Sequence, residues 1–396
     1  MRFDFRRALY GLSTRVALLV VVLGLVTLFG CGCGTTGGAM RGDQIRVALF
    51  EGVPAVTIGG ERPVTIRTHP SGRTIFSGTP GRRGVLVQHS SRGVAVGGRS
   101  YGVERVEARI EGDAGITVNG RPYRGRITVL RNPRDLTVVN TLSIEAYTRA
   151  VVPAEMLASW GGEALEAQAI VVRSFGAFHV QRNGTRPFDI PANRIVYKGM
   201  SEEDPRTTRA VEATRGLVLT YRGRLMLPYF SSCCGGYSEY AHNVWSGEQQ
   251  TTRPVRCPYC KGTPGYAWRA TLTSDELSRR LRPLGVTNVV ALRVKERSKA
   301  GDRITRLEVT HVHNDETYKV AVALNKFRLL VGPDVVRSGL FTVRPQDGSF
   351  VFEGRGWGHG VGMCQWGAMK MAEQGNTYKQ ILAFYFSHSK LQRMSW

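Results

Sequence analysis

The apolar pattern of this 396-residue chain changes its period near residue 141. Before that point, runs such as residues 45–50 alternate apolar and polar side chains between recurrent Gly- and Pro-rich turns, which predicts short β-strands. Residues 142–182 instead show helical spacing. We therefore predict an α+β fold of mainly antiparallel strands with a central helical motif. Residues 45–140 would form a small N-terminal β-domain and residues 141–396 a second domain.

The first 44 residues have the features of a targeting segment. Basic residues precede an apolar run at residues 16–29, which is too short for an ordinary membrane-spanning helix but suits the core of a signal peptide. The letters LFGC (28–31) resemble a bacterial lipobox, which predicts lipidation of Cys31; an uncleaved membrane anchor is the alternative. Residues 35–42 would be a flexible tether. We predict export and attachment to the cell envelope, as a lipoprotein in the periplasm or on the outer face of the cytoplasmic membrane.

The net charge of +23 favours an anionic partner. Nucleic acid is the generic partner of such a chain. However, the basic residues are scattered singly, no helix-turn-helix, zinc-finger or RNA-recognition pattern is present, and the signal segment argues for export. An acidic cell wall and anionic lipids fit the charge equally well. An arginine-rich proteome would produce the same charge without any functional meaning.

Glu155 is the candidate catalytic residue, and it lies in the segment VVPAEM (151–156). A short amphipathic helix with Ser143 as its N-cap is predicted just before it. Pro153 is expected to stop this helix, which would place Glu155 at a helix–loop junction. A carboxyl held among apolar neighbours such as Trp160 should have a raised pKa, which suits a general acid near neutral pH. An exposed glutamate at a helix end is the alternative.

Further polar and aromatic residues are candidates for a cleft. Gln168 and Arg173 interrupt an apolar run on the next predicted helix, so they either reach a cleft or pair internally. Six glycines crowd residues 354–367, where backbone can approach a ligand closely. Within that motif His359 either bonds Glu155 or substrate, or is a buried histidine bonded to backbone. Two tryptophans of the motif are either sugar platforms or core residues; they are Trp357 and Trp366.

Four of the seven cysteines suggest a metal site. The knuckle of Cys257 and Cys260, together with the pair Cys233 and Cys234, is a zinc pattern, because four thiolates satisfy a tetrahedral ion. Adjacent cysteines often diverge, so one of the pair could be replaced as a ligand. Disulfides are the rival interpretation, which an exported location permits. Cys364 is predicted to be a free, non-catalytic thiol.

Several motifs, in this order, resemble those of the SpoIID (stage II sporulation protein D) family. They are EAY (145–147), VVPAEM (151–156), EALEAQA (163–169), AVEATRG (210–216), YFSSCCGG (229–236), NVW (243–245) and GRGWGHGVGMCQWGA (354–368). The resemblance extends from about residue 45 to the C-terminus and identifies residues 141–396 as a SpoIID-like catalytic domain. It places Glu155 at the position of the family's catalytic glutamate.

The resemblance implies a lytic transglycosylase that acts on peptidoglycan glycan strands. A single Glu155 acid/base would cleave the MurNAc–GlcNAc bond and form 1,6-anhydro-muramyl ends, since no second carboxylate has the context that a hydrolase needs. Some relatives are enhancers of cell-wall amidases, so the alternative is a non-catalytic wall-binding partner of an N-acetylmuramoyl-L-alanine amidase. The candidate substrate-binding residues are Gln168, Arg173, Ser232, Gly235, Gly236, His359 and Gln365.

Family members with a described zinc site carry its His and Cys ligands in the loop after the motif helix. The matching loop here, residues 187–197, contains neither residue type, so that site is expected to be absent. The set of Cys233, Cys234, Cys257 and Cys260 would then be a different structural zinc site. It would pin the loop of residues 231–236.

Overall fold

A computed structural model describes residues 43–81, 83–191, 194–245 and 252–395. This part of the chain combines seven α-helices with mainly antiparallel strands, which confirms the predicted α+β class. None of its helices has the length and apolar character needed to cross a bilayer. The predicted signal peptide, Cys31 and the tether lie outside the described residues. The predicted boundary near residue 140 stays a prediction.

Two six-stranded antiparallel sheets form the N-terminal part. Their strands are β1 (Gln44–Val53), β2 (Ala55–Gly60), β3 (Val64–His69), β4 (Thr74–Gly78), β5 (Val85–Ser90), β6 (Gly93–Val96), β7 (Arg99–Tyr101), β8 (Arg105–Ile110), β9 (Ile116–Val118), β10 (Arg121–Tyr123), β11 (Arg126–Arg131) and β12 (Leu136–Ser143). One sheet has the order β1-β12-β11-β8-β3-β4 and the other β10-β9-β2-β5-β6-β7. Alternate valine and isoleucine side chains of both sheets share one core, as in a β-sandwich.

Seven helices follow the sandwich. They are α1 (Ile144–Glu155), α2 (Gly162–Arg182), α3 (Pro205–Ala213), α4 (Ser274–Leu281), α5 (Leu324–Val331), α6 (Gln365–Glu373) and α7 (Tyr378–Tyr385). Helix α2 is central, because α1, α3, α6 and α7 all pack on it. Most of its residues are buried, so it is apolar around nearly its whole circumference. A side chain at Gly176 would lie 2.9 Å from the Tyr147 ring, so glycine lets α1 and α2 approach closely.

The remaining strands form small sheets around these helices. They are β13 (Leu217–Tyr221), β14 (Arg224–Leu225), β15 (Phe230–Ser231), β16 (Ala267–Thr273), β17 (Asn288–Arg297), β18 (Ile304–His313), β19 (Glu316–Ala323), β20 (Phe341–Gln346), β21 (Ser349–Arg355), β22 (Met363–Cys364) and β23 (Lys390–Arg393). Strands β16 to β21, with α4 and α5, enclose a third core. The short parallel pair β15–β22 joins the YFSSCCGG segment to the glycine-rich motif.

Helix α1 begins as predicted but ends later than predicted. The Ser143 hydroxyl caps it by accepting a hydrogen bond from the Ala146 N–H at 3.2 Å. The expectation that Pro153 stops the helix is wrong, since α1 continues to Glu155. Proline lies in the last turn, where it removes a single backbone bond, and the Met156 N–H still closes that turn on the Val152 carbonyl.

A buried ion pair joins α1 to α2. The Arg173 guanidinium is fully buried and donates to both carboxylate oxygens of Glu145, at 3.0 and 2.9 Å. It also donates to the carbonyls of Val211 and Leu217, and the Gly216 N–H donates to Glu145. Arg173 is therefore not available to substrate, and its predicted substrate-binding role is wrong; of the two alternatives, internal pairing is the observed one.

Replacing Arg173 with methionine should destabilise the fold strongly, by about 3–5 kcal/mol, because Glu145 would remain buried without its partner. Chemical denaturation measures this loss. The exposed pair Lys370–Glu373 offers a matched control, and Lys370→Met should cost less than about 1 kcal/mol. Equal small losses for both variants would show that the buried pair does not hold α1 to α2.

Candidate active site

Glu155 is the last residue of α1 and is half-buried, so the predicted helix–loop position is confirmed. Its carboxylate accepts a hydrogen bond from the backbone N–H of Val196 at 3.2 Å. Within the described residues, no cationic side chain pairs with this carboxylate. After Glu155 the chain continues through the buried Met156 to Trp160, which lies just before the first residue of α2.

Burial raises the pKa of Glu155 to about 7, and the Val196 N–H opposes this increase only in part. The direction matches the prediction from the apolar sequence context. A carboxyl with this pKa is present in both protonation states near neutral pH, so one group can donate a proton and later accept one.

Gln365 contacts the backbone of Glu155. Its side-chain amide donates to the backbone carbonyl of Glu155 at 3.1 Å. Gln365 is buried, and its amide satisfies a carbonyl at the C-terminal end of α1 that no helical N–H can reach. This contact ties Gln365 to the backbone of Glu155; its predicted substrate-binding role stays a prediction.

The loop of residues 187–197, which lacks histidine and cysteine, is held by other means. At one end the buried Asp189 forms an ion pair with the partly exposed Arg46 of β1, at 2.6 Å. At the other end the Tyr197 hydroxyl donates to Asn140 of β12, and the Tyr197 ring packs 6.0 Å from the ring of Tyr147. The β-sandwich therefore anchors the loop that supplies the Val196 N–H.

Aromatic residues occur on the segments that carry Glu155 or contact its backbone. Trp160 and Trp366 are half-buried with their ring centroids 4.9 Å apart, and Trp366 directly follows Gln365. Tyr147 is completely buried on α1, two helical turns before Glu155, and its hydroxyl has no hydrogen-bond partner among the described residues. Burial, followed by the nearby Glu155 charge, raises the pKa of the Tyr147 hydroxyl. Tyr147 therefore stays neutral beside the carboxyl.

The other predicted substrate-binding residues differ in what surrounds them. Gln168 is completely buried, and neither polar atom of its amide has a hydrogen-bond partner in the described part of the chain. Ser232 is half-buried, and its carbonyl accepts from the Trp366 N–H. Gly235 and Gly236 line a cavity of about 510 Å³. Their binding roles stay predictions.

His359 is tied to backbone. Its Nδ1 accepts a hydrogen bond from the Val361 N–H at 3.0 Å, and the ring also bonds the backbone of Phe230. Burial, followed by the charges of Arg328 and Arg303, lowers the pKa of His359 to about 3. The ring is therefore neutral. Its hydrogen bonds are those expected for a buried histidine bonded to backbone, which was one of the two alternatives for His359. A contact between His359 and substrate stays a prediction.

The cysteines gather in a different combination from the predicted one. The sulfur atoms of Cys234, Cys257, Cys260 and Cys364 all lie within 4.8 Å of one another. The set includes Cys364 and not Cys233. Cys364 is a free cysteine, as predicted, but its sulfur is grouped with three others. The predicted metal role of Cys233, Cys234, Cys257 and Cys260 stays a prediction. All five described cysteines are buried and none forms a disulfide.

Sequence reasoning missed two further contacts of Glu155. The Val196 N–H belongs to a loop 41 residues away, and a backbone donor leaves no trace in a side-chain pattern. Tyr147 had a usable signal, because the spacing of Tyr147, Val151 and Glu155 places them along one stripe of a helix.

Comparisons with known proteins agree with the motifs. The SpoIID model, described as "Stage II sporulation protein", matches residues 132–221, and a domain of unknown function (DUF8618) matches residues 260–362. An uncharacterized protein of Brachyspira hyodysenteriae is 32% identical over 355 residues, which cover 87% of this chain and 91% of that protein.

The chain belongs to the SpoIID family. The amidase enhancer of Bacillus subtilis is 30% identical over 294 residues, which are 61% of this chain and 40% of the enhancer. Stage II sporulation protein D of the same species is 29% identical over 275 residues, which are 64% of this chain and 75% of that protein. The chain therefore spans less than half of the enhancer. The SpoIID match runs from the end of the sandwich to β13 and contains Glu155.

Replacing Glu155 with glutamine should stabilise the protein at alkaline pH. The carboxyl has a pKa of about 7 when folded against 4.5 ordinarily, so the folded state loses stability as pH rises from 4.5 through 7. Glutamine does not ionise, so the variant does not lose this stability, and its side-chain oxygen can still accept the hydrogen bond from the Val196 N–H. Denaturation should show no difference near pH 4 and a gain of up to about 3 kcal/mol near pH 8, less to the extent that water reaches the carboxylate. Equal stabilities at both pH values would contradict a raised pKa.

Proposed function

We propose that this protein is a peptidoglycan lytic transglycosylase with Glu155 as its single acid/base. The observation that carries the proposal is a half-buried carboxyl with a pKa of about 7 and no cationic partner among the described residues. Membership of the SpoIID family supports a function at the cell wall. The substrate would be the glycan strand, at the bond between the muramyl and glucosaminyl sugars.

The reaction uses one group twice. Protonated Glu155 donates its proton to the glycosidic oxygen, and the bond between that oxygen and the muramyl C1 breaks as the N-acetyl group assists. Glu155, now a carboxylate, removes the proton of the muramyl 6-hydroxyl, whose oxygen bonds to C1 and closes the 1,6-anhydro ring. The proton returns to Glu155, and no water is consumed.

The surroundings of Glu155 suit this sequence. The Val196 N–H stabilises the carboxylate form after the first transfer, while burial favours the acid form before it. Because Tyr147 stays neutral, it places no charge beside the carboxyl. The half-buried rings of Trp160 and Trp366 offer apolar faces on which sugar rings can stack.

The second candidate function is that of a non-catalytic enhancer of a cell-wall amidase. The relative named amidase enhancer, 30% identical over 294 residues, favours it. In that case the same residues would form a groove that holds glycan without cutting it, and the partner would be an N-acetylmuramoyl-L-alanine amidase.

We further propose that the protein works outside the cytoplasm, attached to the membrane by the lipidated Cys31. Its substrate is found there, and the net charge of +23 would draw it to the carboxylates of the wall and to anionic lipids.

Product analysis separates the two candidate functions. The full chain is incubated with denuded and with peptide-bearing glycan strands, and the products are examined by mass spectrometry. We expect 1,6-anhydro-muramyl ends, and their loss in Glu155→Gln. Glu166→Gln is the matched control, because burial also raises the pKa of Glu166 on α2 but nothing places that residue at the site; this variant should stay active. Retention on glycan without new ends would support the enhancer instead.

The pH dependence tests the acid role of Glu155. The free enzyme must carry a protonated Glu155, so kcat/KM should fall as pH rises above about 7, approaching tenfold per pH unit. Rates of anhydro-sugar release over a pH series measure this profile. A profile that stays flat through the alkaline range would remove Glu155 as the general acid.

A further inference from the structure

Four buried thiols converge from three separate segments of the chain. Cys234 follows β15, Cys257 and Cys260 belong to one knuckle, and Cys364 ends β22. Their sulfur atoms all lie within 4.8 Å of one another, and those of Cys234 and Cys260 are 3.6 Å apart. All four side chains are completely buried.

These distances match a metal site better than a covalent bond. A disulfide holds its sulfur atoms about 2.05 Å apart. In tetrahedral zinc thiolates the Zn–S bond is about 2.3 Å, which puts neighbouring sulfur atoms about 3.8 Å apart. The sulfur atoms of Cys234 and Cys260 are 3.6 Å apart, which is close to that sulfur–sulfur distance. Four sulfur ligands with no oxygen or nitrogen select zinc among common structural ions.

Hydrogen-bond donors reach two of the four sulfur atoms, as they would reach thiolates. The Cys364 sulfur accepts from the Cys234 N–H at 3.2 Å and from the Gly367 N–H at 3.3 Å. The latter bond caps the N-terminus of α6, an end that favours negative charge. The Tyr385 hydroxyl lies 3.2 Å from the Cys257 sulfur, so it can donate to that thiolate. Such second contacts orient ligands at metal sites.

Gly367 shows how closely these groups approach. A Cβ at this position would lie 2.9 Å from the Cys257 sulfur and against the Tyr385 hydroxyl. Only glycine leaves room for the thiol cluster at this position. The first turn of α6 therefore packs directly on the sulfur atoms.

We propose that Cys234, Cys257, Cys260 and Cys364 bind one structural zinc ion as thiolates, releasing their protons on binding. Cys233, whose thiol also approaches Cys260 and Cys364, stays outside the ligand set. The ion ties the β15 segment and the knuckle to the residue that directly precedes Gln365. It therefore fixes the amide that holds the C-terminal end of α1. This site is independent of whether the protein cleaves glycan.

Metal analysis of the full chain tests the proposal directly. Purified without chelator, the chain should carry about one zinc ion. Cobalt added after zinc removal should give the intense visible absorption of a tetrahedral thiolate site. Cys364→Ser should lose the ion, whereas Cys233→Ser, the adjacent matched control, should keep it. Loss in Cys233→Ser with retention in Cys364→Ser would overturn this ligand set, and iron in place of zinc would overturn the choice of metal.

Alkylation of the unvaried chain provides a test that does not depend on variants folding. The chain is denatured with a chelator and without reductant, then alkylated and mapped by peptide mass spectrometry. All five cysteines between residues 233 and 364 should be modified. Pairs that resist alkylation until reduced would show disulfides and overturn the zinc site.

Discussion

The buried ion pair between Glu145 and Arg173 sets the geometry on which the active site depends. It joins the first turn of α1 to the middle of α2, and its remaining donors and acceptors fix α3 and the start of β13. Glu155 lies ten residues further along α1, about 15 Å from this junction. A rigid helix of that length carries the position of its first turn to its last. The ion pair at the first turn of α1 thus fixes the position of the Glu155 carboxyl at its last turn.

Local features of the fold were accessible from sequence because local physics dictates them. Alternating valine and isoleucine residues predicted strands such as β3, and the Ser143 hydroxyl marked the start of α1. Pro153 misled because the loss of its own N–H does not prevent the next residues from closing the last turn, in which the Met156 N–H bonds the Val152 carbonyl. The sequence shows that proline is present, but it does not show whether the backbone N–H groups after it still bond the helix.

The site was less accessible because folding assembles it from distant segments. Glu155 was found from its apolar neighbours, and burial does raise its pKa. The contacts of Val196 and Gln365 with Glu155 span 41 and 210 residues. The cysteine cluster likewise depends on strand pairing: the parallel pairing of β15 with β22 brings Cys364 close to Cys234, and residue spacing does not predict that pairing.

The charge distribution explains why Glu155 can act as an acid in so basic a chain. In this chain, with a net charge of +23, basic residues outnumber acidic ones, and Glu145 and Asp189 each have an arginine partner. A guanidinium at Glu155 would favour its charged form and return its pKa to the acidic range. The structure instead gives this carboxylate a neutral backbone N–H as donor, and burial raises its pKa. Arginines elsewhere anchor the elements around the site. In the part of the chain that the structure describes, no cation pairs with Glu155, which keeps its proton available near neutral pH.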